Sequence, residues 1–325
     1  MTDVPTTQPI PSGTRDVLPE EMRELRAITD AMRGAFERAG YGEVYTPALE
    51  YEAVTAQGGG ASPAYRLFDE RGDLLALRSD LTVPIARVAA TRYAGVPHPL
   101  RFCYFAHVYR GVRPQRGQPR ELLQAGIELI GAPAPDGTAE ALTVMCAALD
   151  AAGLRDYRVG LGDASLYPAL LDALAVEPGT RAPLLHELVT RDFVGLEREI
   201  GALGLAGGDA ELLLRAPQLR GGPELFDELG DERLAGAAGG LRDVHRLLAP
   251  DVAARVIFDL GLIRDLRYYS GAVFEVYDPT LGAPLGGGGR YDDLLGRFGA
   301  PAPAVGFALT VERLHIALTG EEGKR

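Results

Sequence analysis

Two apolar, aromatic-rich runs, RFCYFAHVYRGV and ELLQAGIELIG, stand on either side of the polar stretch RPQRGQPR. Runs of this length and composition read as strands, so the sequence predicts two long strands joined by a basic loop. The second run carries Gln124 and Glu128, four residues apart and therefore on one face of a strand. A glutamate among apolar neighbours is costly to bury unless it is paired. The pair implies either a solvent-facing side of the sheet or a polar pocket built on it.

Other segments extend this frame. From Glu20 to Ala39 the positions Met22, Leu25, Ile28, Met32, Ala35 and Phe36 recur at helical steps, and Gly40 stops the helix. YGEVYTPALEY reads as a strand interrupted by Pro47, and YRLFD-ERGD-LLALR as a hairpin turning at Gly72 and Asp73. Helices are expected to begin near Thr82–Pro84, where proline is tolerated in a first turn, and to run from Ala139 to Ala152. YRVGLGD is a short buried strand, RVIFDLG, LRYYSGAVFEVYD and PAVGFALT supply further sheet, and a helix closes the pattern from Val311 to Leu318. Between Ser165 and Pro250 the chain turns rich in Ala, Leu, Gly and acidic residues with helical spacing. The expected fold is α+β: a mostly antiparallel sheet flanked by helices, one core formed by 1–164 and 251–325, with a helical insertion at 165–250.

Composition narrows the function classes. A net charge of −12 opposes nucleic-acid binding, which relies on neutralising phosphates. No stretch approaches the roughly 20 apolar residues of a membrane span, and the N-terminus lacks a basic-then-apolar secretory pattern, so a cytoplasmic protein is expected. Cys103 and Cys146 lie far apart and read as reduced core thiols. His98, His107, His186, His245 and His315 show no metal-ligand spacing, so no metal is expected. The run Gly286–Gly289 lacks the Lys-Ser/Thr of a phosphate loop and reads as a tight turn or a close backbone approach.

Arg110, Arg113, Arg116 and Arg120 cluster on the basic loop, where they either face solvent or grip phosphate or carboxylate. Asp80 and the pair Tyr268–Tyr269, which follows Arg264, pose the same choice between structure and function. Taken with Gln124 and Glu128 they suggest an amino-acid site. Carboxylates and an amide would hold an ammonium or imidazolium, tyrosines would flank a ring, and arginines would meet anionic groups.

Six segments, GTRDVLPEE, LRSDLTVPIAR, YRGVRPQRGQPRELLQAGIE, LIRDLRYY, GGGGRYDDLL and AVGFALTVERL, follow one another in the order found in histidyl-tRNA synthetase, which the chain resembles from about Gly13 to Leu318. The resemblance implies a class II aminoacyl-tRNA synthetase-like core. The Glu20–Ala39 helix and the strand ending near Pro47 resemble the dimer-forming motif 1, Arg110 and its loop motif 2, and Arg313 the arginine of motif 3. It further implies that Asp80, Thr82 and Gln124 hold the amino group of histidine and that Glu128, Tyr268 and Tyr269 meet its imidazole. Arg110, Arg264 and Arg313 would be left for anions or a residual nucleotide.

Departures from the synthetase pattern point elsewhere. Val112 replaces the motif 2 glutamate, Asp265 a glycine, Arg267 an acid, and Asp80 the longer glutamate. The ~100 residues of a separate anticodon-binding domain are not expected after motif 3. This pattern resembles the regulatory subunits of short-form ATP phosphoribosyltransferases. That resemblance implies a chain without aminoacylation activity or cofactor, a class II-type dimer within a hetero-oligomer with the short catalytic subunit, feedback inhibition by L-histidine, and no tRNA or membrane partner. Two alternatives remain open at this level. A stand-alone domain could make histidyl-adenylate, which the retained Arg110, Arg264 and Arg313 favour. A partner-stabilising module could have lost histidine, which Asp80 and Arg267 favour.

Overall fold

The computed structural model describes residues 10–59, 64–111, 118–263 and 268–320. Helix α1 (Pro19–Arg38) follows its apolar period, burying Leu25, Ile28, Met32, Ala35 and Phe36 on one stripe. The chain then forms β1 (Gly42–Glu43), β2 (Leu49–Tyr51), the single turn α2 (Glu52–Thr55), β3 (Arg66–Phe68) and β4 (Leu74–Leu77). The expected single strand YGEVYTPALEY is thus divided. β1 pairs with the large sheet, whereas β2 joins β4 and β3 in a separate three-stranded sheet. The break lies at Thr46–Pro47, where proline has no N–H to donate and Arg78, only 3% exposed, reaches across to the carbonyls of Thr46 and His107. The β3–β4 hairpin turns at Gly72, whose φ is +86°.

Helix α3 (Thr82–Arg92) leads into the two long strands, β5 (Leu100–Tyr109) and β6 (Glu121–Ile130), which pair antiparallel along their whole length. After α4 (Asp136–Ala151) and β7 (Arg158–Asp163) come α5 (Leu166–Ala173), α6 (Arg181–Thr190), α7 (Phe193–Ala202), α8 (Gly207–Arg215), β8 (Arg220–Gly221) and α9 (Glu232–Leu247). The segment expected to be purely helical therefore also supplies an edge strand, too short to carry a period. The remainder is α10 (Pro250–Ala253), β9 (Val256–Asp259), β10 (Ala272–Tyr277), β11 (Gly286–Arg290), β12 (Ala304–Thr310) and α11 (Val311–Thr319).

Among the described residues the large sheet has nine strands in the order β1-β5-β6-β12-β11-β10-β7-β9-β8. β1–β5 and β7–β9 pair parallel, and the other neighbours antiparallel. The strands alternate between two hydrophobic clusters. Phe36, Cys103, Ile127, Met145 and Phe307 lie in one, against α1 and α4, and this cluster continues through Leu170, Leu188, Leu196 and Leu241 of the helical segment. Leu81, Ile85, Phe102, Tyr104, Tyr268 and Tyr291 lie in the other, against α3.

The glycine run is not a turn. Gly286–Gly289 form most of β11, hydrogen-bonded between β10 and β12 in the middle of the sheet. A Cβ at Gly288 would stand 1.9 Å from the Gly306 carbonyl oxygen, and one at Gly286 2.2 Å from that of Ala308. Close backbone approach is what requires glycine here. Among the described residues, no helix is long and apolar enough to cross a membrane, and no three His, Cys, Asp or Glu side chains group as metal ligands.

Candidate functional site

A cleft opens over β6, β12 and β11 on the α3 face of the sheet. Asp80, Thr82, Gln124, Tyr268 and Tyr269 line it, together with Arg110 and Arg313. They arrive from five different segments. Asp80 precedes α3 and Thr82 begins it, Gln124 projects from β6, the tyrosines stand just before β10, Arg110 follows β5, and Arg313 lies in the first turn of α11. Glu128 lies on the same face of β6 as Gln124, opposite Phe102 in the β5 register and opposite Gly306 in that of β12.

Glu128 is 1% exposed, and both of its oxygens are engaged. Thr82 Oγ1 donates to Oε1 at 2.7 Å and the Tyr291 hydroxyl donates to Oε2. Burial pushes its carboxyl up to about 8, with the negative charge of Asp80 adding to the rise and the two hydroxyl donors opposing it. Asp80 is also raised by burial, although the Val83 N–H donates to it at 2.9 Å and the Arg110 charge favours its ionised form. The cleft thus gathers the Asp80 carboxyl and the phenols of Tyr104, Tyr268, Tyr269 and Tyr291, with the Glu128 carboxyl bonded to Thr82 and Tyr291 of its lining. Tyr268 meets Tyr269 and Tyr291 edge-on at ring distances of 5.1 and 5.8 Å. On the other side Arg313 donates to the Pro284 carbonyl at 2.6 Å, and Arg110 lies 3.5 Å from that of Ser79.

The strand-core glutamate is therefore paired and buried rather than turned to solvent. Tyr104, Tyr291 and Gly306 belong to the site but were not singled out from the sequence. The signal for Tyr291 was the unpaired glutamate itself, which needed donors from outside its strand. Arg120 does not line the cleft; its N–H bonds to the Gly13 carbonyl at 2.8 Å. Val112, Arg113, Arg116, Arg264, Asp265 and Arg267 lie outside the described residues.

The chain matches the family described as histidyl-tRNA synthetase over residues 13–314. It is 43% identical over 328 aligned positions to the ATP phosphoribosyltransferase regulatory subunit of Symbiobacterium thermophilum, covering 97% of this chain and 81% of that one. The chain belongs to the histidyl-tRNA synthetase family, among the regulatory subunits of ATP phosphoribosyltransferase. Solved structures agree with this placement. A Bacillus halodurans protein described as an ATP phosphoribosyltransferase regulatory subunit/histidyl-tRNA synthetase is 33% identical and superposes with a TM-score of 0.91 over 98% of this chain and 85% of that one. A histidine–tRNA ligase subunit from Alicyclobacillus acidocaldarius is 34% identical, with a TM-score of 0.81 over 98% of this chain and 99% of its own. The α+β architecture of this regulatory subunit is that of a class II synthetase core.

Proposed function

We propose that this regulatory subunit binds L-histidine in the cleft and, assembled in the cytoplasm with a short-form ATP phosphoribosyltransferase catalytic subunit, lowers the activity of that partner when histidine accumulates. It has no catalytic activity of its own in this reading. One observation carries it: a half-buried carboxyl, an amide and paired tyrosines line one cleft, with the buried Glu128 carboxyl bonded to Thr82 and Tyr291 of its lining. In this reading Asp80, Thr82 and Gln124 take the ammonium group, while Glu128, Tyr268 and Tyr269 meet a ring that donates hydrogen bonds; Asp80, Thr82, Gln124 and both tyrosines lining one cleft support it. A coupling of about 1–3 kcal/mol between the sites would give a roughly 5- to 150-fold effect, and bound substrates of the partner would weaken histidine binding by the same factor.

Calorimetric titration with L-histidine, with and without ATP, tests the reading. Micromolar binding indifferent to ATP is expected. The presence of Arg110 and Arg313 in the same cleft favours a second reading, formation of histidyl-adenylate. Binding strengthened by ATP with release of pyrophosphate would establish that second reading instead. No binding by the free chain or by the assembled complex would leave a partner-stabilising module.

The three-stranded sheet supports self-association. Leu49 and Tyr51 are 45% and 56% exposed and share one of its faces with Leu67, Leu75 and Leu77, an apolar surface of the kind that marks an interface. We assign to it the class II-type dimer. Sedimentation velocity should give twice the chain mass, and Tyr51→Asp should shift the protein toward monomer; a wild-type monomer at high micromolar concentration would refute the assignment.

A further inference from the structure

The hydrogen bonds around Glu128 point to a role for a residue that the histidine reading does not use. Tyr291 follows β11, is 2% exposed, and is held by its own N–H to the Ala304 carbonyl at 2.9 Å and by the edge of the Tyr268 ring. Its hydroxyl donates to Glu128 Oε2, leaving Oε1 to Thr82. The absence of a Cβ at Gly306 leaves the space that Oε2 occupies. Among the described residues, the groups facing Glu128 are Asp80 and Thr82 from the start of α3, Tyr104 from β5, Tyr268 from before β10, and Tyr291. None of these is a cation. Arg110 bears on Asp80, and Arg313 on Glu275 and Glu312.

We infer that Tyr291 is a positioning residue for histidine recognition: by holding the Glu128 carboxyl it sets the oxygen presented to the imidazole and the pH range over which ring and carboxyl share one proton. This rests on the histidine reading of the pocket. In the empty pocket burial keeps Glu128 protonated up to about pH 8. Free imidazole loses its proton near pH 6.5. Between those values the two partners together carry one proton, and binding requires neither uptake nor release. Below this window the imidazolium meets a neutral acid and a proton must leave; above it, one must be taken up. Affinity is therefore expected to be flat across the window and to fall toward tenfold per pH unit on either side. A hydroxyl that donates to the carboxylate favours its charged form. Removing the Tyr291 hydroxyl should raise Glu128 further and carry the alkaline limb upward.

The experiment is calorimetric titration of L-histidine from pH 5.5 to 9.5, in buffers of differing ionisation enthalpy, for wild type and Tyr291→Phe. The wild type should show proton uptake on binding only above about pH 8. Tyr291→Phe should bind about 3- to 10-fold more weakly on the plateau, with its alkaline limb displaced upward by roughly one pH unit. Thr82→Val, which removes the other hydroxyl, should displace the limb in the same direction and serves as the test should Tyr291→Phe fold poorly. Coincident limbs in wild type and variant, or a wild type without an alkaline limb, would overturn the role of Tyr291 and leave the histidine reading standing. Absence of histidine binding by wild type at every pH would overturn the histidine reading and, with it, this inference.

Discussion

Glu128→Gln is expected to abolish the response to histidine while making the protein more stable in neutral and alkaline solution. The loss follows from replacing a carboxyl able to pair with the ring by an amide; a charge-assisted hydrogen bond is commonly worth ~1.5–3 kcal/mol, so affinity should fall about 10- to 100-fold. The gain follows from proton linkage. Glu128 rises to about 8 in the folded protein, whereas in the unfolded chain it returns to the ordinary value of 4.5. As pH climbs from about 4.5 to 8, the unfolded chain has released this proton and the folded protein retains it, so stability contributed by this group declines across that window and then levels. Glutamine carries no such proton and still offers one acceptor and one donor to Thr82 and Tyr291. Urea unfolding between pH 5 and 9 should show the variant with a flatter profile, and near pH 8 a gain on the order of a few kcal/mol. Profiles that run parallel would mean that Glu128 is not held neutral by the fold.

Gly306→Ala should lose stability and histidine binding together. A Cβ at this position would lie 1.9 Å from Glu128 Oε2 and 2.5 Å from the Ile127 carbonyl oxygen. Gly306 is on β12, bonded on one side to β6 and on the other to β11, so the strand has no free edge toward which to move. Overpacking of this kind typically costs ~1–3 kcal/mol, and the simultaneous push on a buried carboxyl takes the expectation to about 3–5 kcal/mol. A double-mutant cycle refines the test. Adding Glu128→Ala removes the side-chain collision but not that with the Ile127 carbonyl, so it should recover part of the loss and show a coupling above about 1 kcal/mol. Strict additivity would place the strain elsewhere.

The sequence made the periodic parts of this architecture legible. The stripe on α1 follows from helical spacing because one face is buried, the β3–β4 hairpin from its Gly72–Asp73 turn, and the two long strands from near-continuous apolar runs because both of their faces are buried. The four-residue spacing of Gln124 and Glu128 likewise placed both on the cleft side of β6. Elements without a period escaped. A run of glycines has no face, so only the Cβ collisions reveal β11 as a strand; β1, β2 and β8 hold two or three residues each. The site was legible as a set of chemistries but not as a network. That Glu128 needed partners could be read from its apolar surroundings, whereas the identity of one partner, Tyr291, separated from it by 163 positions, depends on how β11 and β12 fold back on β6.

The bare peptide of β11 bears on how such a pocket can change over evolutionary time. Positions of β11 that have no room for a side chain form a floor on which mutation has almost nothing neutral to offer, since an added Cβ at Gly286, Gly288 or Gly289 collides with a neighbouring strand. Drift in ligand preference must then enter from above, through Asp80, Thr82, Tyr268 and Tyr269, which approach the cleft from segments outside the sheet plane. The fold thereby separates an inheritance that is fixed from one that is adjustable. A descendant of this chain could come to accept a different ligand by replacing a few overhanging side chains, with the glycine floor beneath them unaltered.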